Sequence, residues 1–228
     1  KFGERWIDHD LKIKSNLEQV LTEEDTLLIP GDISWAINFA EVKKDMIFIS
    51  EIPGRKILLR GNHDYWWATL TKNYRMLSDW GIDNIDFLQN NAFRIEDPSL
   101  GGVVVAGTRG WIFPGDPKWQ TSDQKILNRE IGRLKISLAA AERLRQPDDK
   151  MICITHFPPM NTRLAISEMT KMMREHQVIA CFFGHIHHQE SPYQLQGEKI
   201  DGIKMFLTAS DQIEFKPVWL DPILEIEN

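Results

Sequence analysis

The chain has 228 residues, 42% of them hydrophobic and 26% charged, which suits one large domain over residues 1–228 and does not require two. No apolar run is long enough to cross a bilayer, and no secretory pattern opens the chain. The formal net charge of −6 argues against extended nucleic acid held on a basic face, but admits a small anionic substrate if bound cations reverse the field locally.

Residues Glu4 to Leu21 carry Trp6, Ile7, Leu11, Ile13, Leu17 and Val20 at broadly helical spacing, and a first helix is expected there. A polar break at Thr22-Glu23-Glu24-Asp25 precedes Thr26-Leu27-Leu28-Ile29-Pro30, a short strand that stops at Gly31-Asp32. Phe39 to Ile52 is amphipathic, with Val42, Met46 and Ile49 on one side, and Pro53-Gly54 closes it. Ile57-Leu58-Leu59 is the next strand and leads through Arg60 into Gly61-Asn62-His63-Asp64-Tyr65-Trp66-Trp67. A helix from Thr69 to Trp80 ends at Gly81. Strands are expected over Phe87 to Ile95 and Val103 to Ala106, separated by a turn.

Gly107 to Ser122 is rich in Gly, Pro and Trp and reads as a long loop, a kind of segment often tied to function. Asp123 to Arg145 is the most regular helix, with a stripe of Leu127, Ile131, Leu134, Leu138 and Ala141 and with Ser122 or Asp123 as its N-cap. The strand Met151 to Thr155 ends in His156-Phe157-Pro158-Pro159. A helix through Ser167 to His176 precedes the strand Val178 to Phe183, which ends in Gly184-His185-Ile186-His187-His188. Ile203 to Leu207 and Val218 to Leu220 are expected to be further strand. The two cysteines, Cys153 and Cys181, lie inside apolar strands; buried free thiols in a cytoplasmic protein are expected, not a disulfide framework.

One pattern recurs at the strand ends: Gly31-Asp32, Gly61-Asn62-His63-Asp64, Thr155-His156 and Gly184-His185-Ile186-His187. In open α/β sheets ligands bind beyond the carboxyl ends of the strands. If these strands run parallel, their ends gather a carboxylate, an amide and several imidazoles on one edge. A glycine ahead of the polar residue lets backbones approach closely or turn sharply. Asn-His-Asp by itself is equally an ordinary turn; the repetition makes it a site candidate. Imidazole with carboxylate suits Mn, Fe, Co or Zn more than Mg or Ca alone, and the lack of a thiolate argues against a closed structural zinc site. If the extended conformation continues past Gly184, His185 and His187 face one side and His188 the other.

The order Gly-Asp, Gly-Asn-His-Asp, His, Gly-His-Ile-His resembles the calcineurin-like metallophosphoesterase family. The longer runs Pro-Gly-Asp-Ile-Ser-Trp and Gly-Asn-His-Asp-Tyr-Trp-Trp resemble its bacterial predicted phosphohydrolases, and the likeness runs through nearly the whole chain. The resemblance implies an α/β fold, a four-layer αββα sandwich with the metal site at the carboxyl ends of the strands. It also implies two divalent or transition metal ions (Mn, Fe, Zn or Co) and hydrolysis of a phosphomonoester or phosphodiester. By the same resemblance Asp32 bridges the two metals, Asn62, His156 and His185 complete the second, and His187 is a ligand of the first. His63 is then the active-site histidine near the leaving group, not a ligand. Two cations about 3.5–4 Å apart polarise a phosphate and acidify a shared water toward a pKa of about 7 for in-line attack. His63, if protonated, stabilises charge or protonates the departing alkoxide. Arg109 is a candidate phosphate clamp, with Trp111, Phe113 and Trp119 as part of a lid. Tyr65, Trp66 and Trp67 are pocket wall or ordinary packing. A small phosphorylated substrate is the expected partner, with neither membrane nor extended nucleic acid.

The family's first motif, Asp-x-His after the first strand, has no counterpart. Asp8-His9 and Asp10 fall in a helical pattern with no apolar strand before them. The first metal then keeps only Asp32 and His187, and a central strand of the sheet is missing, so the stretch as it stands is expected to fold badly alone. Because it opens on Lys1, an omitted N-terminal segment is expected in preference to a real loss. The competing reading is a non-catalytic scaffold or interaction protein of the same fold with an incomplete metal site. Gly31-Asp32-Ile33-Ser34-Trp35 also lacks the second Asp that follows the bridging one in some branches, which leaves Asp64 as the candidate for orienting His63. His9 and His176 are expected at the surface, and His188 either behind the ligands or in solvent.

Overall fold

The computed structural model describes residues 3–97, 101–187 and 191–224. In chain order the elements are α1 (His9–Glu18), β1 (Thr26–Ile29), α2 (Phe39–Ser50), β2 (Arg55–Leu59), α3 (Leu70–Asp79), β3 (Ile85–Leu88), β4 (Phe93–Asp97) and β5 (Gly101–Thr108). There follow α4 (Asp123–Leu144), β6 (Lys150–Thr155), α5 (Glu168–Glu175), β7 (Val178–Phe183), β8 (Gln196–Ile200), β9 (Ile203–Leu207) and α6 (Asp221–Leu224). The strands form a three-stranded sheet, β1-β2-β3, and a six-stranded sheet, β4-β5-β6-β7-β9-β8. All pairs in the first sheet are parallel, as are β5-β6, β6-β7 and β7-β9 in the second; β4 and β8 are antiparallel edges.

Strand alternation distributes the apolar side chains over three cores and so produces four layers. Leu58 and Phe87 pack with Val42 and Met46 of α2 and Met76 and Leu77 of α3. On the opposite face of that sheet Ile57, Leu59 and Leu88 meet Val103, Val105, Ile152, Ile154 and Phe182 of the second sheet. The neighbours on those strands, Val104, Ala106, Met151, Cys153, Cys181 and Phe183, point outward against Leu127, Leu134 and Leu138 of α4 and Met169 and Met173 of α5. Period-two alternation with both faces covered explains why these strands read as continuous apolar runs. The result is the αββα sandwich. No helix among the described residues is long and apolar enough to cross a membrane.

Several expected elements come out differently. The first helix is broken: a 3-10 turn over Glu4–Trp6 is followed by Asp8 in a left-handed conformation, and α1 buries only Leu17. Phe87 to Ile95 is not one strand. Asn90 is left-handed (φ 62°), and Asn91 bonds locally to the Gln89 N–H and the Phe87 carbonyl, so the chain turns and crosses from the first sheet to the edge of the second. Neither Ser122 nor Asp123 caps α4 with its side chain: Ser122 is already helical, and Asp123 accepts from Gln120 N–H and Trp111 Nε1. Ser167, by contrast, caps α5 in a capping box with Thr170. Val218 to Leu220 is not a strand; the Leu220 carbonyl instead accepts from the N–H groups of Ile223 and Leu224 at the start of α6.

Cys153 and Cys181 are register neighbours on β6 and β7 and are fully buried free thiols. Burial raises the Cys153 thiol well above its ordinary range and pushes Cys181 up to about 12, so neither offers a thiolate at neutral pH. A maleimide reagent is accordingly expected to leave both unmodified in the folded protein and to label both in denaturant, read by intact mass. Labelling of either without denaturant would show that the outer core of the second sheet opens.

Candidate metal centre

The parallel strands bring their polar ends to one edge. Asp32 follows β1, Asn62 and His63 follow β2, His156 follows β6 and His185 follows β7. Ligating atoms of Asp32, His156 and His185 lie within 4.8 Å of one another. Asn62 Oδ1 joins them, 2.7 Å from His156 Nε2 and 2.9 Å from His185 Nδ1. Asp32 Oδ1 is 3.4 Å from His156 Nε2, and the two imidazoles approach at 3.2 Å. Four of the residues singled out by sequence therefore form one cluster.

Two glycines permit the approach. Gly31 has φ 97°, and a Cβ there would meet the Gly61 backbone at 2.7 Å and His156 Nδ1 at 2.8 Å. A Cβ on Gly61 would meet Asp32 Oδ1 at 2.1 Å. The third glycine, Gly184, is not required in this way, since its nearest such contact is 3.7 Å. Asp32 (φ 56°) and His185 (φ 67°) are themselves left-handed, a conformation that costs a non-glycine residue of order 1–3 kcal/mol and collects at functional sites. The left-handed His185 also ends the extended run, and Ile186 N–H turns back to the Gly184 carbonyl. His185 and His187 consequently do not continue a strand alternation.

Asp64 does not orient His63. It is wholly buried and accepts backbone N–H bonds from Asp32, Ile33, Ser34 and Gly61 at 2.7–3.0 Å, plus Trp66 Nε1 at 3.3 Å. It ties the loop after β1 to the loop after β2. Burial pushes its pKa up to about 6 against the pull of those donors, which leaves it a carboxylate at neutral pH. The groups that orient His63 are aromatic: Trp35 stacks on its ring at 4.2 Å and 15°, and Tyr65 Oη lies 3.1 Å from Nδ1. The His63 backbone N–H also donates to Asp32 Oδ1 at 2.9 Å. Trp66 and Trp67 are buried in the first helix–sheet core, so ordinary packing describes them better than a leaving-group pocket.

His187 stands outside the cluster. Its Nδ1 bonds Asp211 Oδ1 at 2.7 Å and its ring meets Trp6 edge-on. Asp211 is almost completely buried and also takes an ion pair from Arg5. Arg109 is bound to buried Glu130 at 3.0 Å and lies over Trp111. The long loop is pinned, with Trp111 Nε1 on Asp123 and Asp116 accepting from Phe113 N–H, Thr162 N–H and Tyr193 Oη; Phe113 is part of the core. His9 bonds the Trp6 carbonyl at the surface, and His176 pairs with Glu142. His188 lies outside the described residues.

The donor set fits a cation. His156 Nδ1 donates to the Pro30 carbonyl at 3.0 Å, which consumes the single proton of a neutral imidazole and leaves a lone pair on Nε2. That lone pair faces Asn62 Oδ1, Asp32 Oδ1 and His185 Nδ1. Burial holds both His156 and His185 down to about 3, so both are neutral at pH 7, the form that ligates metal. Converging acceptors with few protons between them are a cage for a positive ion.

Fold and site together define an αββα protein with a candidate metal centre where its parallel strands end. Residues 8–189 match the calcineurin-like phosphoesterase family, and the chain belongs to that family. Such membership supports phosphoester hydrolysis with divalent metals. No curated protein matches the chain. Among solved structures, TT1561 of Thermus thermophilus is 13% identical with a TM-score of 0.61, over 91% of this chain and 86% of that one. AQ665 of Aquifex aeolicus, a protein of unknown function, is 17% identical with a TM-score of 0.48, over 95% of this chain and 84% of that one. At these identities the first likeness concerns the fold alone.

Proposed function

We propose that the chain hydrolyses a phosphomonoester or phosphodiester of a small phosphorylated molecule through a two-cation centre. The observation that carries this reading is the convergence of Asp32, Asn62, His156 and His185 around the unprotonated Nε2 of His156. In this reading those four residues would hold one cation, and Asp32 and His187 would serve a second. Asp211 on His187 Nδ1 turns the other ring nitrogen outward, as carboxylates behind metal-bound histidines commonly do. A bound pair of Mn, Fe, Zn or Co ions supplies Lewis-acid polarisation of the phosphoryl oxygens and an acidified water.

The chain's own residues do the rest. Asn62 ligates without adding negative charge, which keeps the centre attractive to an anionic ester. His63, stacked on Trp35 and bonded to Tyr65, is placed beside Asp32 without joining the cage, and it donates a proton or positive charge to the leaving oxygen. The paired burial of free thiols supports a reducing, cytoplasmic location.

The test is hydrolysis of an aryl phosphodiester and an aryl phosphomonoester by the full-length protein, with added Mn²⁺ and again after chelation. Turnover that appears with metal and disappears with chelator is expected. No metal-dependent turnover of either ester would sink the hydrolase reading and favour the scaffold.

A further inference from the structure

At the same sheet edge, but away from the metal cluster, the ends of β2, β3 and β5 and one face of α4 enclose a second cavity. Arg60, Gln89, Thr108, Arg109, Glu130 and Arg133 line it, and none of Asp32, Asn62, His156 or His185 does. Its volume is about 40 Å³. Since one water needs about 10–15 Å³ on this measure, the space suits a compact ion and not a whole metabolite.

Its charges do not balance. Three guanidiniums line it with one carboxylate, Glu130, which is 1% exposed and already fully engaged; Asp64 acts on Arg60 from outside the lining without pairing with it. Glu130 Oε1 accepts from Arg109 at 3.0 Å and Arg133 at 2.7 Å, and Oε2 accepts from Thr108 Oγ1 at 2.7 Å. Arg60 has no ion pair among the described residues. The Nε donors of Arg60 and Arg109 are buried and have no acceptor. Gln89 Oε1 already accepts from Trp67 Nε1 at 2.7 Å, so the amide N–H groups are what Gln89 has left to offer. Buried donors and surplus charge without acceptors are costly, and the missing partner is an anion with several acceptor oxygens. Planar guanidinium forks match a tetrahedral oxyanion.

We propose that this cavity is a binding site for one phosphate-sized oxyanion, held by Arg60, Arg109 and Arg133 and separate from the metal cluster. Its walls are tied to the cluster through the backbone: Arg60 precedes Gly61-Asn62 in the chain, and the Arg109 carbonyl accepts the N–H groups of both His156 and Phe157. The oxyanion is either free inorganic phosphate or a second phosphoryl group of the substrate; the latter source alone rests on the proposed hydrolase activity.

The experiment is calorimetric titration of inorganic phosphate into the full chain after chelation of metals, at low ionic strength. One phosphate per chain is expected for wild type and for Asp32→Ala, with affinity about tenfold or more weaker in Arg109→Gln and Arg133→Gln. Arg133 is 44% exposed, so its replacement keeps the test available even if Arg109→Gln fails to fold. No saturable binding to chelated wild type, or wild-type affinity in both arginine variants, overturns the proposal. To separate the sources, kinetics on a mono- and a bisphosphate ester are compared in wild type and Arg133→Gln. A rise in KM for the bisphosphate alone assigns the cavity to the substrate, whereas unchanged KM with weaker phosphate inhibition assigns it to the free ion. Phosphate binding without any esterase turnover would remove the hydrolase reading and leave the cavity; turnover without phosphate binding to the chelated chain would do the reverse.

Discussion

If the proposed hydrolase reading holds, His63→Ala is expected to lower turnover about 10²–10⁴-fold, the range for loss of a positioned general acid, with bound metal at the wild-type level, whereas Asp32→Ala is expected to lose metal and turnover together. The two residues sit side by side, with the His63 N–H on Asp32 Oδ1 at 2.9 Å, yet their side chains have different surroundings. Asp32 points into the cage with His156 and His185. The His63 ring lies against Trp35 and Tyr65 and touches none of the ligating atoms. Removing the ring leaves that backbone N–H in place, so the Asp32 carboxylate keeps its orientation. Trp35→Ala tests the stacking directly: it removes neither a ligand nor the imidazole, and about a tenfold loss in kcat is expected from misplacing His63. Metal content is measured by elemental analysis beside kcat. Equal metal loss in His63→Ala and Asp32→Ala would show that His63 is a ligand, and an unchanged kcat in Trp35→Ala would show that the stack positions nothing.

The strand ends were the legible part of this chain, for a physical reason. Each is a local event: an apolar run buried on both faces stops, and the residue that leaves the sheet is polar. Parallel pairing then sets Asp32 beside Asn62 at the end of one sheet and His156 beside His185 at the end of the other, and the packing of the two sheets face to face joins the pairs. The need for glycine at positions 31 and 61 was equally readable, because the close approach of two loop backbones is what a Cβ forbids. The crossing between sheets was also written in Asn90-Asn91, but the apolar residues on either side masked the turn.

Other features depend on tertiary placement. The stripe of residues 4–21 has the spacing of a buried face, yet Ile7 and Leu11 are 58% and 60% exposed, and only the packing of the sheets decides that. Val218 to Leu220 is apolar but bracketed by Pro217 and Pro222, which cannot donate to a ladder. Asp211 carried no signal at all: it reaches His187 from 24 residues further on, at a spacing with no period. Arg60 and Glu130 were silent too, one following a strand and the other on a helix, because only the fold gathers three guanidiniums around the single lining carboxylate and leaves the Arg60 Nε without an acceptor.

Asp64→Ala destabilises the fold by about 3–5 kcal/mol, the cost of stranding several buried donors, and weakens metal binding. The carboxylate accepts from four backbone N–H groups of two loops and from the Trp66 indole. Those loops carry Asp32 and Asn62 to the cluster, so the same bonds that stabilise the fold set the spacing of two ligands. Alanine leaves the donors facing a void, and the site, at 0% exposure, admits water poorly. Asp64→Asn is the informative intermediate. Its single oxygen replaces Oδ1, which serves Ile33, Ser34 and Trp66, but its NH₂ then confronts the N–H groups of Asp32 and Gly61 that Oδ2 accepted. Losing those two bonds acts on Asp32 and on Gly61, which precedes Asn62, so Asn is expected to recover part of the stability while metal affinity stays impaired. Urea midpoints with a constant m-value measure the first quantity, and metal titration of the folded variants measures the second. A loss below about 1 kcal/mol in Asp64→Ala, the scale of one ordinary hydrogen bond, would mean the two loops are held by something other than this carboxylate.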